Sequence, residues 1–142
     1  MSNTLLEMQY RDGCNFKARS DVIFSGEPTP ELLTRYLATL DGFGDEALVP
    51  EQVGLENPAR HDDIFSSRFP DEEDDHGWVE AFDVEPTDRA PTDDRTFEAF
   101  VAECEAIAAG AGWDPMVGIN AAGGWTDPET AARLRGGDLE DA

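Results

Sequence analysis

The sequence contains very little cysteine, histidine or positive charge. Its 142 residues include two cysteines, two histidines and one lysine, Lys17, beside nine arginines. Cys14 and Cys104 match no metal-binding spacing, so free thiols in a reducing cytoplasm are expected. No apolar run approaches about 18 residues, and the first residues lack the basic start and apolar core of a signal peptide. The sequence therefore predicts a cytoplasmic protein without membrane spans.

Carboxylates dominate the charge of the chain. There are 32 acidic and 10 basic residues, which gives a formal net charge of −22. Residues 1–60 carry 10 acids and 5 bases (net −5), and residues 61–142 carry the other 22 acids and 5 bases (net −17). Adaptation to molar salt is one explanation, because screening there shortens the range of charge repulsion. The other explanation is that the charge serves to bind a basic partner.

A β-hairpin is predicted at the start of the chain. Leu6, Met8 and Tyr10 alternate with polar residues at the two-residue period of a half-buried strand. Asp12-Gly13 is a turn signal, and the returning strand carries Lys17 and Arg19 on its polar face.

Two helices are predicted after the hairpin. Thr29 followed by Pro30 is a typical helix N-terminus, because the hydroxyl can cap the helix and proline needs no partner there. The apolar residues between Phe97 and Ala108 recur at helical spacing, and Gly110 ends that helix.

Two further strands are predicted between the helices. Residues 47–55 predict a short strand at a sheet edge, because Pro50 cannot donate to a ladder. Residues 77–85 predict a strand with Trp78, Phe82 and Val84 toward the core, and with Glu80 as a polar exception on that face.

The element order β-β-α-β-β-α predicts an α+β fold. We expect a small antiparallel sheet with two helices packed on one face. The predicted domain covers residues 1–110. Residues 111–142 form a Gly/Ala-rich C-terminal extension, either partly docked or mobile, with a short helix that starts at Pro128.

Two surfaces are candidates for contact with a partner. One is the polar face of the hairpin: Arg11, Asp12, Asn15, Lys17 and Arg19. The other is the acidic stretch with the tryptophan that follows it: Asp71, Glu72, Glu73, Asp74, Asp75, His76 and Trp78. The sequence favours a macromolecule-binding domain without cofactor, whose partner is a protein and possibly a basic one. Direct nucleic-acid binding is not expected, because the negative charge repels phosphates.

Two alternative functions stay open. An anionic inhibitor could imitate nucleic acid, with Asp62, Asp63, Asp71 to Asp75 and Glu80 in place of phosphates. A small metal-dependent or hydrolytic enzyme could instead use His61, Asp74, Asp75 and His76, since carboxylates and imidazoles are common metal ligands. However, consecutive carboxylates point in diverging directions, and the histidine spacing matches no metal motif.

Four short segments resemble those of a family of small bacterial and archaeal proteins with no established activity. They are the hairpin from Tyr10 to Lys17, Phe24 to Glu27, Pro50 to Val53, and Asp74 to Trp78. The resemblance covers about residues 8–104, and it implies domain limits but no mechanism. Similar proteins often carry a second histidine after the tryptophan, where this chain has Val79. The resemblance therefore argues against a histidine-based site.

A thermal melt distinguishes the two explanations of the acidity. If the charge is a salt adaptation, we expect the melting temperature to rise strongly between low salt and molar potassium chloride, because screening removes repulsion within the folded state. Calorimetry at several salt concentrations measures the shift. A melting temperature that hardly depends on salt would contradict the adaptation and favour a partner-directed charge.

Overall fold

The computed structural model describes residues 2–11, 17–42, 44–61 and 76–121. The strands are β1 (Asn3–Arg11), β2 (Lys17–Phe24), β3 (Ala47–Leu48) and β4 (Val79–Thr87). The helices are α1 (Pro30–Leu37), α2 (Pro58–His61), α3 (Phe97–Ala109) and α4 (Pro115–Ala121), and Pro50–Val53 is a 3₁₀ helix. The predicted α+β class is confirmed. No helix in these ranges is long and apolar enough to cross a membrane.

The four strands form one antiparallel sheet in the order β2-β1-β4-β3. β1 and β2 make the predicted hairpin, with a regular register from Thr4 opposite Phe24 to Arg11 opposite Lys17. β3 lies at an edge, as predicted, and has only two residues because Pro50 begins the 3₁₀ helix soon after it.

The core lies between one face of the sheet and the helices. Phe24 of β2 stacks on Phe100 of α3, with ring centroids 4.4 Å apart. The fully buried Tyr36 of α1 donates a hydrogen bond of 2.6 Å to the carbonyl of Ala81 in β4. Burial raises the pKa of the Tyr36 hydroxyl, which therefore stays protonated as a donor. Tyr36 thus attaches α1 to the centre of the sheet.

The direction of the side chains in β4 differs from the prediction. Val79 and Ala81 are fully buried, Val84 packs against the core from a half-buried position, and Phe82 is 46% exposed. The cause is a β-bulge: Glu7 pairs with Asp83 but Gln9 pairs with Glu80, so β4 has one extra residue there. The bulge reverses the alternation, which puts Phe82 and Glu80 on the face opposite the core.

The start of α1 and the end of α3 are as predicted. Thr29 caps α1 by accepting a hydrogen bond from the N–H of Leu32 at 3.2 Å, and α3 ends at Gly110. The other two ends were not predicted correctly. α1 ends at Leu37, before the expected stop at Asp41 and Gly42, and α3 is capped by Thr96, which accepts from the N–H of Ala99 at 3.0 Å.

The segment after α3 contributes to the core. Trp113 donates from its indole N–H to the carbonyl of Thr39 at 2.7 Å, and Ile119 of α4 is fully buried. Helix α4 was not predicted, although Asp114 before Pro115 is a helix-start signal, and Asp114 does accept a hydrogen bond from the N–H of Met116. The helix predicted from Pro128 lies outside the described residues. The domain boundary at residue 110 stays a prediction.

Arg95 joins three parts of the chain. Its guanidinium forms two hydrogen bonds with Asp93, one with Glu103 and one with the carbonyl of Val53. It also lies 5.3 Å from the ring centroid of Phe100. The guanidinium lowers the pKa of the Asp93 carboxyl. Because the folded state then binds that proton less tightly than the unfolded state, the pair stabilises the fold near neutral pH, and this contribution is lost as the pH falls through the lowered pKa.

Removal of the Arg95 guanidinium tests this role. We expect Arg95→Gln to lower the free energy of unfolding by about 2 kcal/mol, because the Val53 carbonyl and two carboxylates lose their partner. Urea unfolding at neutral pH measures the change. Arg35→Gln is the matched control, since Arg35 pairs with Glu105 on the exposed surface and its loss should change stability little. Equal effects of the two substitutions would contradict the role of Arg95.

Candidate partner-binding surface

The face of the sheet opposite the helices carries most of the charged strand residues. We call it the outer face, and its exposed or half-buried members in the described strands include Glu7, Gln9, Arg11, Lys17, Arg19, Asp21, Glu80, Phe82 and Asp83. The two-residue period of β1 and β2 puts the polar residues here, because their apolar neighbours fill the core. The outer face therefore displays one aromatic ring among charges of both signs.

A chain of polar contacts crosses the outer face from β2 to β4. Arg19 donates to the amide oxygen of Gln9 at 2.8 Å, and Gln9 donates from its amide nitrogen to Glu80 at 3.5 Å. The other oxygen of Glu80 lies 3.7 Å from the Nε of Arg11. These neighbours fix the orientation of the Gln9 amide, since Arg19 only donates and the Glu80 carboxylate only accepts. Gln9 thus connects Arg19 to Glu80, and Glu80 in turn lies beside Arg11.

Phe82 lies beside this chain of contacts. The bulge in β4 holds its ring at the surface, where it lines a depression of about 170 Å³ together with Gln9, Arg19, Glu80 and Asp83. Phe82 and Leu37 are the exposed large apolar side chains of the described residues. Aromatic and arginine side chains are enriched in protein–protein interfaces, so Phe82 beside Arg19 is a candidate contact residue.

The predicted basic residues of the hairpin share one end of the outer face. Arg11 lies opposite Lys17 in the sheet register, and Arg19 lies opposite Gln9. The ion pair of Arg11 with Glu80 is long and partly exposed, so it contributes only about 0–1 kcal/mol and leaves both charges accessible. Asp12 and Asn15, which were predicted to belong to this surface, lie outside the described residues.

His76 contacts the end of β1. Its Nε2 lies 2.6 Å from the carbonyl oxygen of Arg11, and its Nδ1 accepts a hydrogen bond from the N–H of Trp78 at 3.1 Å. A carbonyl only accepts and a backbone N–H only donates, so these partners assign the ring proton to Nε2. The imidazole thus holds the start of β4 against the hairpin through both of its nitrogens.

The turn that holds His76 is closed by α4. A Cβ atom on Gly77 would lie 1.8 Å from the carbonyl oxygen of Pro115, so only glycine fits this approach. The half-buried indole of Trp78 lies over Gly42. A Cβ atom on Gly42 would lie only 2.7 Å from that indole, so glycine is required there as well. His76 and Trp78 therefore have packing roles beside any role in binding.

The geometry gives little support to an enzyme centred on histidine. Both nitrogens of His76 are engaged, and a metal would have to displace one of their partners. The side chain of His61, together with Asp74 and Asp75, lies outside the described residues. In the described part of the chain no group of three or more His, Cys, Asp or Glu side chains could hold a metal ion. Cys104 is fully buried, and burial raises the pKa of its thiol to about 12, so it is a poor nucleophile.

Most of the acidic residues predicted to imitate phosphates lie outside the described residues. These are Asp62, Asp63 and the run Asp71, Glu72, Glu73, Asp74 and Asp75. The described one, Glu80, lies between Arg11 and Gln9 on the outer face. Its surroundings are not a uniform array of negative charge, so the outer face does not resemble a nucleic-acid backbone.

Comparisons with known proteins give no relative on which a function can be based. The chain matches no family model, no curated protein and no solved structure.

Sequence reasoning missed Gln9 and Phe82. The position of Phe82 depends on the bulge, which shows in no residue type, and strict alternation placed the ring in the core. Gln9 gave a weak signal, because it is the one uncharged polar side chain between Glu7 and Arg11 on the outward side of β1.

The assigned role of His76 predicts its protonation and its response to metal. In long-range ¹H–¹⁵N spectra at neutral pH we expect His76 to show a protonated Nε2 and an unprotonated Nδ1, because their partners are a carbonyl and an N–H. Addition of zinc should leave these two resonances unchanged. A zinc-induced shift of either nitrogen, lost in His76→Gln, would contradict the structural role and favour a metal site.

Proposed function

We propose that this protein is a non-catalytic binding domain that contacts a protein partner through its outer face. The observation that carries the proposal is the ring of Phe82, 46% exposed at the β4 bulge and surrounded by Gln9, Arg19 and Glu80. A ring in this position exposes apolar surface in the unbound protein and removes it from water when a partner covers it. Complete burial of a phenylalanine side chain contributes about 1.5–3 kcal/mol, so covering the exposed half of Phe82 contributes about 1 kcal/mol.

The charges around Phe82 indicate the chemistry of the partner. Arg11, Lys17 and Arg19 form the basic end of the outer face, while Glu7 and Asp83 lie on the other side of the ring. A protein surface with an apolar centre and charges of both signs would complement this arrangement. A nucleic acid would not, because a chain with a net charge of −22 repels it. The proposed setting is the cytoplasm, as expected from the sequence.

The rigid sheet supports binding without rearrangement. The polar contacts of Gln9 with Arg19 and Glu80 hold their side chains before a partner arrives. Less side-chain entropy is then lost on association, where each immobilised side chain costs about 0.5–1.5 kcal/mol.

Substitution of Phe82 tests the proposal, with Leu37 as a matched control. Leu37 is 38% exposed on α1, away from the outer face, so Leu37→Ala removes a similar apolar area elsewhere. Proteins are captured from the cytoplasm of the source cells with wild type, Phe82→Ala and Leu37→Ala, and quantified by mass spectrometry. We expect a partner that wild type and Leu37→Ala retain and that Phe82→Ala loses. With the purified partner, Phe82→Ala should weaken binding by about tenfold or more.

The same set of captured proteins for all three variants would overturn the proposal. Thermal melts of the variants serve as a folding control. Both side chains are exposed, so neither substitution should change the free energy of unfolding by more than about 0.5 kcal/mol.

A further inference from the structure

The outer edge of β2 is a second surface whose backbone groups could bind a partner. β2 is the outermost strand on one side of the sheet. At its end, Ile23 already forms edge hydrogen bonds: its N–H donates to the Thr92 hydroxyl at 2.9 Å, and its carbonyl accepts from the N–H of Thr92 at 2.9 Å. The segment after β4 therefore occupies the edge at this one position.

The next positions along this edge have no backbone partner in the part of the chain that the structure describes. In an antiparallel ladder the N–H and C=O of alternate residues point to the same side, so Asp21 and Arg19 point outward as Ile23 does. Among the described residues, no backbone partner is found for the outward groups of Asp21 and Arg19. The edge therefore offers two donors and two acceptors in the geometry that a further strand requires.

A trough runs beside this open edge. It has a volume of about 310 Å³ and lies between Ser20 and Asp21 of β2 on one side, and Leu55, Glu56 and Thr92 on the other. The hydroxyl oxygen of Ser20, which lines the trough, is buried and has no hydrogen-bond partner. A buried hydroxyl without a partner is uncommon, and a donor or acceptor in the trough would satisfy it.

The trough is acidic. Glu56 and Asp93 line it, Asp21 borders it from the outer face at the edge of β2, and its described lining includes no basic side chain. Asp93 is held by Arg95, whereas Asp21 meets Arg89 only at 3.5 Å, with both side chains about half exposed. Asp21 is therefore the carboxylate most able to take a new cationic partner.

We propose that the edge of β2 binds an extended segment of a partner protein as an added strand, with a lysine or arginine of that segment beside Asp21. The backbone of the segment pairs with Arg19 and Asp21, and its alternate side chains enter the trough. The backbone hydrogen bonds of the added strand contribute the affinity. The carboxylates of Asp21, Glu56 and Asp93 make the site prefer a basic segment. This site does not involve Phe82, although the side chains of Arg19 and Asp21 belong to the outer face, so the two proposals are tested by different substitutions.

The probe is an acetylated peptide that alternates lysine and valine, used with the full chain at physiological salt. Two control peptides separate strand pairing from general attraction to an acidic protein. One carries N-methyl groups on alternate residues, which keeps the charge and removes the ladder donors. The other replaces lysine by glutamate. Calorimetry gives the affinity, and amide hydrogen exchange locates the contact.

We expect the lysine–valine peptide to bind and to slow hydrogen exchange of the Arg19 and Asp21 amides. The N-methylated peptide and the Asp21→Pro protein should each bind about tenfold more weakly or worse, because each loses hydrogen bonds of the added strand. Asp83→Asn, which removes a carboxylate from the outer face, is the matched control and should bind like wild type. Phe82→Ala should also bind normally, so failure of the outer-face proposal leaves this one intact.

Three results would overturn the inference. The N-methylated peptide could bind as tightly as the parent peptide, which would show that binding depends on charge and not on strand pairing. The Arg19 and Asp21 amides could exchange at the same rate with and without the peptide. Finally, these amides could be protected without peptide in a manner that depends on protein concentration, which would assign the edge to a second copy of the chain. The first two tests use the wild-type protein and hold even if Asp21→Pro does not fold.

Discussion

One extra residue in β4 determines which side chains of that strand reach the core. Glu7 pairs with Asp83 and Gln9 pairs with Glu80, so β4 advances three residues where β1 advances two. Val79 and Ala81 therefore face the helices, and the Ala81 carbonyl accepts a hydrogen bond from the buried hydroxyl of Tyr36. The same step turns Phe82 outward. Without the bulge, regular alternation would place either Phe82 in the core with Val79 and Ala81 outside it, or Asp83 in the core with Val84 outside it.

The charge of the outer face differs from that of the whole chain. The net charge is −22, yet the described part of the outer face combines Arg11, Lys17 and Arg19 with a comparable number of acids. Long-range repulsion of this size acts against the approach of polyanions, while the local mixture of charges sets which surface can approach closely. The two effects act at different distances, so a strongly acidic protein can still have a contact face that is nearly balanced.

Local chemistry made much of the fold predictable from the sequence. Thr29 marks the start of α1 through its own hydrogen bond, Gly110 marks the end of α3, and the alternation of Leu6, Met8 and Tyr10 fixes a strand face. The misplacement of Phe82 has a different origin, because a bulge depends on how two distant strands pair. The proposed surface was only half foreseen for the same reason. Its cations lie on one predicted hairpin, but Gln9, Glu80 and Phe82 meet through the pairing of β1 with β4.

The two edges of the sheet are unequal. β3 is two residues long, its Ala47 exchanges backbone hydrogen bonds with Asp41, and Pro50 follows. β4 extends beyond β3, so its residues after Ala81 have no partner in β3. Pro86 in this stretch cannot donate to a ladder, whereas Arg19 and Asp21 of β2 can both donate. Pro86 therefore acts against pairing with a further strand on this side of the sheet, and the β2 side is the better template.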